Sequence, residues 1–277
     1  MSPAKRAAVI AISSRHNPFV QQCRALARRR DAGSGEVLLD GLHLLSDALA
    51  AGVPMTAAAA PEAFWQSPVG AAMAGTLASA GALLYSAVPS VIEAASPVKS
   101  PTGIVAIARW KAGEARRALE AQPALVVCAA HVQDPGNIGA IIRAAEAAGA
   151  TGVIATEGSA DPFGWKALRG SMGSAFRLPV AAGEDAAAVC REARERGVRV
   201  VATSPAEGIG LHEADLAGPA LILVGGEGAG LPDHVRALAD VRLRVPMRPP
   251  VESLNVAVAA AVILYEAYRQ RHAGTRP

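Results

Sequence analysis

The chain has 277 residues, 51% of them hydrophobic but only 4% aromatic, and a net charge of +3. That length supports a sizeable core and is more naturally two domains than one. Cys23, Cys128 and Cys190 form no CxxC pair and the histidines show no ligand spacing, so neither a disulfide framework nor a metal site is expected. No apolar run reaches membrane-spanning length and the start lacks a signal-peptide core, so the expected setting is a reducing cytoplasm without a membrane partner.

With so few aromatics, any nucleic-acid contact must lean on charge and hydrogen bonds rather than stacking platforms. Lys5, Arg6, Arg15, Arg24, Arg28, Arg29 and Arg30 all precede the first acidic residue, Asp31. Such an opening can track phosphates, or it can be a solvated helix face. Residues 12 to 18, ISSRHNP, read as a polar loop entering a helix from Phe19 to about Arg30, with Val20, Cys23, Leu26 and Ala27 facing inward. After the break at Gly33-Ser34-Gly35, strands at 36–39, 55–59, 82–85 and 103–108 alternate with helices at 42–51, after Pro61 and near 90–95. That alternation predicts a small α/β domain over residues 1–110.

Residues 110 to 122, charged, Ala-rich and bounded by Pro123, read as a connector with helical tendency, giving a linker at 111–122. A second α/β domain is expected over 123–277. Its short apolar strands, at 125–129, 153–155, 198–203, 220–224 and 241–245, suit a parallel sheet buried on both faces. Ligands of such sheets bind at the loops after the strands' carboxyl ends.

Three stretches fall at such loops. In the first, Asp134 to Ala150, Asn137 reads as the N-cap of a helix whose buried stripe is Ile138, Ile141, Ile142, Ala145 and Ala148. Arg143 lies beside that stripe, where it is either functional or paired with Glu146. In the second, Leu221 to Pro232, Gly225, Gly226, Gly228 and Gly230 surround Glu227. The spacing is wrong for a dinucleotide-binding G-x-G-x-x-G, which argues against a nicotinamide-dependent oxidoreductase. In the third, Val245 to Tyr268, Glu252, Ser253 and Asn255 precede Val256–Leu264, a run apolar on every side. A helix buried all round needs more cover than one domain face gives, so a partner subunit is expected.

Together these stretches resemble the motifs of the SpoU (TrmH) family of RNA ribose 2′-O-methyltransferases, within the SPOUT superfamily. The carrying segments are NIGAIIR from Asn137 to Arg143, LVGGEGAGLP from Leu223, and VPM from Val245 followed by VESLNVAVAA from Val251. Earlier segments, SSRHNPFV from Ser13, VLLDGLH from Val37 and SPTGIVAI from Ser100, are similar to the substrate-binding domain that precedes the catalytic one in many members. The resemblance implies a trefoil-knotted, mainly parallel α/β domain after a smaller L30e-like RNA-binding domain. It implies S-adenosylmethionine as methyl donor, rRNA or tRNA as acceptor, and a homodimer through the C-terminal helix.

By the same resemblance Arg143 is the central catalytic residue, with Asn137, Glu227, Ser253 and Asn255 around it. Gly225, Val245 and Leu254 line the donor pocket by that match, Thr203 is added from its place at the end of the strand VVATS, and Gly225→Val is expected to block the donor while leaving the fold intact. The family proposal makes the arginine a general base. A guanidinium holds its proton too firmly for that role to come cheaply, so electrostatic stabilisation of the developing alkoxide is the alternative. A non-catalytic RNA-binding or ribosome-assembly protein on the same fold is the rival reading. The presence of all five catalytic residue types argues against it. Pro249 stands where many relatives carry glycine, and it removes a backbone donor ahead of the site.

Overall fold

The computed structural model describes residues 8–28, 35–101, 103–228 and 230–273. Lys5, Arg6, Arg29 and Arg30 of the basic opening lie outside the described residues, as does Gly33-Ser34 of the expected break. The chain divides into two compact units: Met1–Lys111 with Phe163–Phe176, and Ala112–Pro162 with Arg177–Pro277.

In chain order the first unit holds β1 (Val9–Ile12), α1 (Pro18–Arg28), β2 (Glu36–Asp40), α2 (Leu42–Ala50) and β3 (Met55–Ala60). There follow α3 (Glu62–Gln66), α4 (Pro68–Ser79), β4 (Leu83–Ala87), α5 (Pro89–Ala95) and β5 (Val105–Arg109). Its sheet runs β1-β4-β3-β5-β2, with β5 antiparallel to both neighbours and the remaining pairs parallel. Val20, Cys23 and Leu26 of α1 are buried against Leu38, Ile107, Val91 and Ile92, as the helical spacing of these apolar residues requires. Asn17 starts α1 by accepting from the Phe19 amide at 2.9 Å. Residues 163–176 join this unit through aromatic contacts. Trp110 meets Phe176 edge-on at 5.2 Å between ring centroids, and the Trp165 indole donates to the Ala27 carbonyl at 3.2 Å.

The chain continues with α6 (Ala115–Glu120), β6 (Leu125–Ala130), α7 (Pro135–Ala147), β7 (Gly152–Thr156), α8 (Trp165–Ser171), α9 (Ser174–Arg177) and β8 (Val180–Glu184). It closes with α10 (Ala186–Glu195), β9 (Arg199–Thr203), β10 (Ile209–Gly210), a short 3-10 turn, β11 (Ala220–Gly225), α11 (Asp233–Arg236), β12 (Val241–Arg244) and α12 (Val256–Arg271). The expected connector is thus a helix of the second unit, where Ala115, Ala118 and Leu119 are buried.

The second sheet runs β10-β12-β9-β11-β6-β7-β8 and all its described pairings are parallel. Every residue of β6 and β7 is buried, so these strands are apolar without alternation, as a sheet covered on both faces demands. From β6 the sheet is built outward through β7 and β8, then resumes on the other side with β11 and β9. The β6/β11 boundary is therefore the switch point where a crevice opens at the strands' carboxyl ends. The strand order is consistent with the expected knotted fold.

Helix α12 packs against α7 and buries Val256, Ala257, Ala260, Ile263, Leu264 and Ala267. It is not buried all round within one chain. Val258, Val262, Tyr265 and Tyr268 lie exposed on its other side. The last turn is tied down by polar groups. Gln270 accepts from the Leu216 amide at 2.7 Å and donates to the Ala214 carbonyl at 2.8 Å. Arg271 donates to the carbonyls of Pro123, Ala124, Leu216 and Gly218 at 2.6–3.1 Å. No described helix is long and apolar enough to cross a membrane.

Replacing Arg271 with methionine keeps the packing stem but removes the donors of all four carbonyls. It is expected to lower unfolding free energy by about 2–3 kcal/mol, the scale of lost hydrogen bonds to a charged group, read from a urea titration.

Candidate functional site

The loops after β9, β11 and β12 converge on a cavity of about 460 Å³, the size of a small-molecule site. Thr203 ends β9, Gly225 ends β11, and Val245 follows β12, so three parallel strands deliver their carboxyl ends to one place. Leu243, Leu254, Val256 and Ile263 give the walls an apolar character, while glycine backbone supplies much of the rest. All four residues expected to hold the donor, Thr203, Gly225, Val245 and Leu254, line this cavity, as do Glu227, Ser253 and Asn255. Thr203 is not a free donor there, because its hydroxyl already donates to the Leu223 carbonyl at 2.9 Å.

The glycine loop has the conformation its sequence requires. Gly228 and Gly230 take φ of 86° and 66°, a region that L side chains rarely adopt. Gly225 is constrained differently. A Cβ there would lie 2.2 Å from the Gly230 carbonyl carbon and the Leu231 amide nitrogen, so the loop closes on its own backbone at that point. The expectation that Gly225→Val spares the fold is therefore corrected. The added side chain meets the loop's own backbone and not an open cavity.

Asn137 is not the N-cap of α7. Asp134 is the cap, its carboxylate accepting from the Asn137 amide at 3.0 Å, because Pro135 occupies the first helical turn where no amide is needed. Relieved of capping, the Asn137 side chain reaches across to the other two motifs. Its Nδ2 donates to Glu227 Oε1, and its Oδ1 accepts from Asn255 Nδ2 at 3.0 Å. Asn255 is itself the N-cap of α12, with Oδ1 accepting from the amides of Ala257 and Val258 at 2.9 and 3.3 Å. Three residues up to 118 positions apart in sequence thus form one hydrogen-bonded row at the edge of the cavity.

Arg143 stands apart from that row. It is exposed on α7 and is not among the described residues lining the cavity. Nor does it pair with Glu146 in the manner of a simple helix ion pair. The Glu146 carboxylate is gripped by Arg177 through two hydrogen bonds at 2.7 and 2.9 Å. Ser204, Pro205, Arg236 and Met247 also line the cavity and were not anticipated. The only sequence signal for Arg236 was its place a few residues beyond the glycine loop.

No group of His, Cys, Asp and Glu among the described residues is arranged to hold a metal ion. The cavity, lined by apolar side chains, glycine backbone and a few polar groups, suits a small organic ligand with both apolar and polar parts.

A parallel α/β sheet with a glycine-lined cavity at the carboxyl ends of β9, β11 and β12 is the architecture of a ligand-binding, enzyme-type domain. The chain belongs to the SpoU rRNA methylase family, whose model matches residues 124–265. It is 34% identical over 272 residues to an uncharacterized tRNA/rRNA methyltransferase of Synechocystis sp., covering 97% of each chain. Over 134 residues, 48% of this chain and 54% of the relative, it is 40% identical to the 23S rRNA guanosine 2′-O-methyltransferase RlmP of Bacillus subtilis. The crystal structure of the SpoU methyltransferase AviRb from Streptomyces viridochromogenes in complex with AdoMet superposes with a TM-score of 0.81 at 31% identity, covering 94% of this chain and 100% of that one.

Gly225→Val is expected to displace the 225–231 loop. A lowered melting temperature together with lost S-adenosylmethionine binding in a thermal-shift titration is the predicted outcome, where a pure pocket block would lower only the second.

Proposed function

We propose that this protein transfers a methyl group from S-adenosylmethionine to a ribose 2′-hydroxyl of structured RNA, rRNA or tRNA. The observation that carries the proposal is the Asn255–Asn137–Glu227 row, which ties the first motif stretch to a cavity lined by the second and third. The rival reading, a non-catalytic RNA-binding protein, gives no reason for these three side chains to be locked together beside such a cavity.

When bound, S-adenosylmethionine supplies an electrophilic methyl on a positively charged sulfur. The chain's own residues then have two tasks: to align the acceptor hydroxyl and to ease loss of its proton. In this reading Asn137 and Asn255 hold the rim rigid, and Ser253 and Glu227 meet the ribose. Arg143 takes the adjacent phosphate and stabilises the negative charge that develops on the hydroxyl oxygen. A guanidinium is a poor base, but its planar fork matches phosphate and its charge is permanent.

The functional unit in this reading is a homodimer through α12. Val251, Leu254, Val258, Val262, Tyr265 and Tyr268 form one exposed apolar stripe along and just ahead of that helix. Leu254 belongs both to the stripe and to the cavity wall, so a second copy seated there would lie against the cavity's mouth. The three buried free cysteines agree with a cytoplasmic setting, where thiols stay reduced.

Arg143→Ala is expected to abolish methyl transfer to ribosomal RNA in a tritium-incorporation assay, whereas Arg143→Lys retains partial turnover. Complete loss in the lysine variant with RNA affinity intact would count against a purely electrostatic role. For the dimer, Val262→Asp places a charge in the stripe and is expected to yield monomers in sedimentation equilibrium. A variant that stays dimeric would move the interface elsewhere.

A further inference from the structure

Only two of the described residues that line the cavity, Glu227 and Arg236, carry a full charge. Glu227 is on the rim, bound to Asn137. Arg236 closes α11, which begins directly after the glycine loop at Pro232, so the loop's geometry fixes the helix that carries it. Its side chain is 39% exposed, in a wall whose other side chains, Glu227 apart, are apolar or neutral polar. Resting on the cofactor reading above, we infer that Arg236 binds the carboxylate of the donor's methionine moiety.

A carboxylate entering a partly closed, largely apolar cavity loses hydration and needs a counter-charge to replace it. Arg236 is the cation the cavity offers. Its existing partner, Asp233, does not use it up. The Asp233 carboxylate is 90% exposed and receives Nη2 at 2.5 Å, a surface pair that contributes little. The guanidinium carries five N–H donors in a fork suited to a carboxylate, and most of that fork remains available. Glu227 supplies the opposite bias. Its negative charge on the rim repels a carboxylate there and favours the donor's sulfonium and ammonium. The two charges therefore set which way round a ligand with both signs sits in the cavity. They also assign Arg236 a role that no RNA contact is needed to explain.

The test is isothermal calorimetry on the full chain with S-adenosylmethionine and with its decarboxylated analogue, which keeps the sulfonium and the amine. The wild-type protein is expected to prefer the carboxylate-bearing donor by about tenfold, the scale of one charge-assisted contact. Arg236→Met is expected to lose that preference and bind both ligands alike, with affinity for the analogue unchanged. Asp233→Asn, which removes the surface pair but keeps the guanidinium, should retain the preference. The assignment is overturned if Arg236→Met still prefers the carboxylate-bearing donor. It is likewise overturned if that variant weakens both ligands in parallel, or weakens only RNA binding as a phosphate contact would. A loss of preference in Asp233→Asn would transfer the effect to the ion pair. Failure of the wild-type protein to bind either ligand would instead overturn the cofactor reading itself, and Arg236 with it.

Discussion

The direction of one side-chain amide governs the candidate site. Asn255 caps α12, and the two amides it accepts commit its oxygen to the helix. Its nitrogen must then point outward and donate to Asn137. That contact commits the Asn137 oxygen in turn and leaves its nitrogen to face Glu227. Each amide orientation follows from the previous one, so the polarity of the whole row is set by where a helix begins. Such a row is directional. Reversing either amide would bring two donors or two acceptors together, which is why a short capping motif can control groups on two other loops.

The C-terminal helix is apolar on two sides, one packed and one exposed in the single chain. One side packs on α7, and the other presents valines and tyrosines to solvent in the single chain. This arrangement leaves no polar face, which produces an apolar run with little amphipathic signal. The helix is anchored instead from its end, where Gln270 and Arg271 satisfy backbone groups of the 214–218 loop and of the approach to β6. Arg271 is partly buried, and that burial pulls its pKa downward, but four carbonyl oxygens surround the charge.

Much of the sheet was legible in the sequence because parallel strands announce themselves as short apolar runs, as Leu125–Ala130 does. The elements that escaped have physical excuses. β1 is a four-residue edge strand with three exposed positions, and β8 passes from buried to exposed within five residues, so neither carries a clean pattern. The connector read at 111–122 lacked apolar length, yet Ala115, Ala118 and Leu119 make α6 part of the second unit's core. Membership of residues 163–176 in the first unit depends on Trp110, Phe163, Phe176 and Trp165 meeting across long stretches of chain, which local pattern does not encode. At the site, the residue types and loops were readable, but the cap at Asp134 was not. Asn137 and Asp134 are both good caps, and only Pro135 decided between them.

The grip of Arg177 on Glu146 has a consequence for the charge that Arg143 presents to solvent. To bind another anion, a surface arginine with a neighbouring carboxylate must first give up that partner, and the exchange cancels much of the gain. Here the carboxylate on the next turn of α7 is already taken by a residue from another helix, and Arg143 has no ion pair among the described residues. Its field therefore reaches into solvent undiminished by an internal counterion, with only mobile salt to screen it over about 8–10 Å. In the phosphate contact proposed for Arg143, a phosphate chain would displace dissolved ions, which favours binding, and would break no described protein ion pair. Ionic strength, more than conformational rearrangement, would then set the rate of approach.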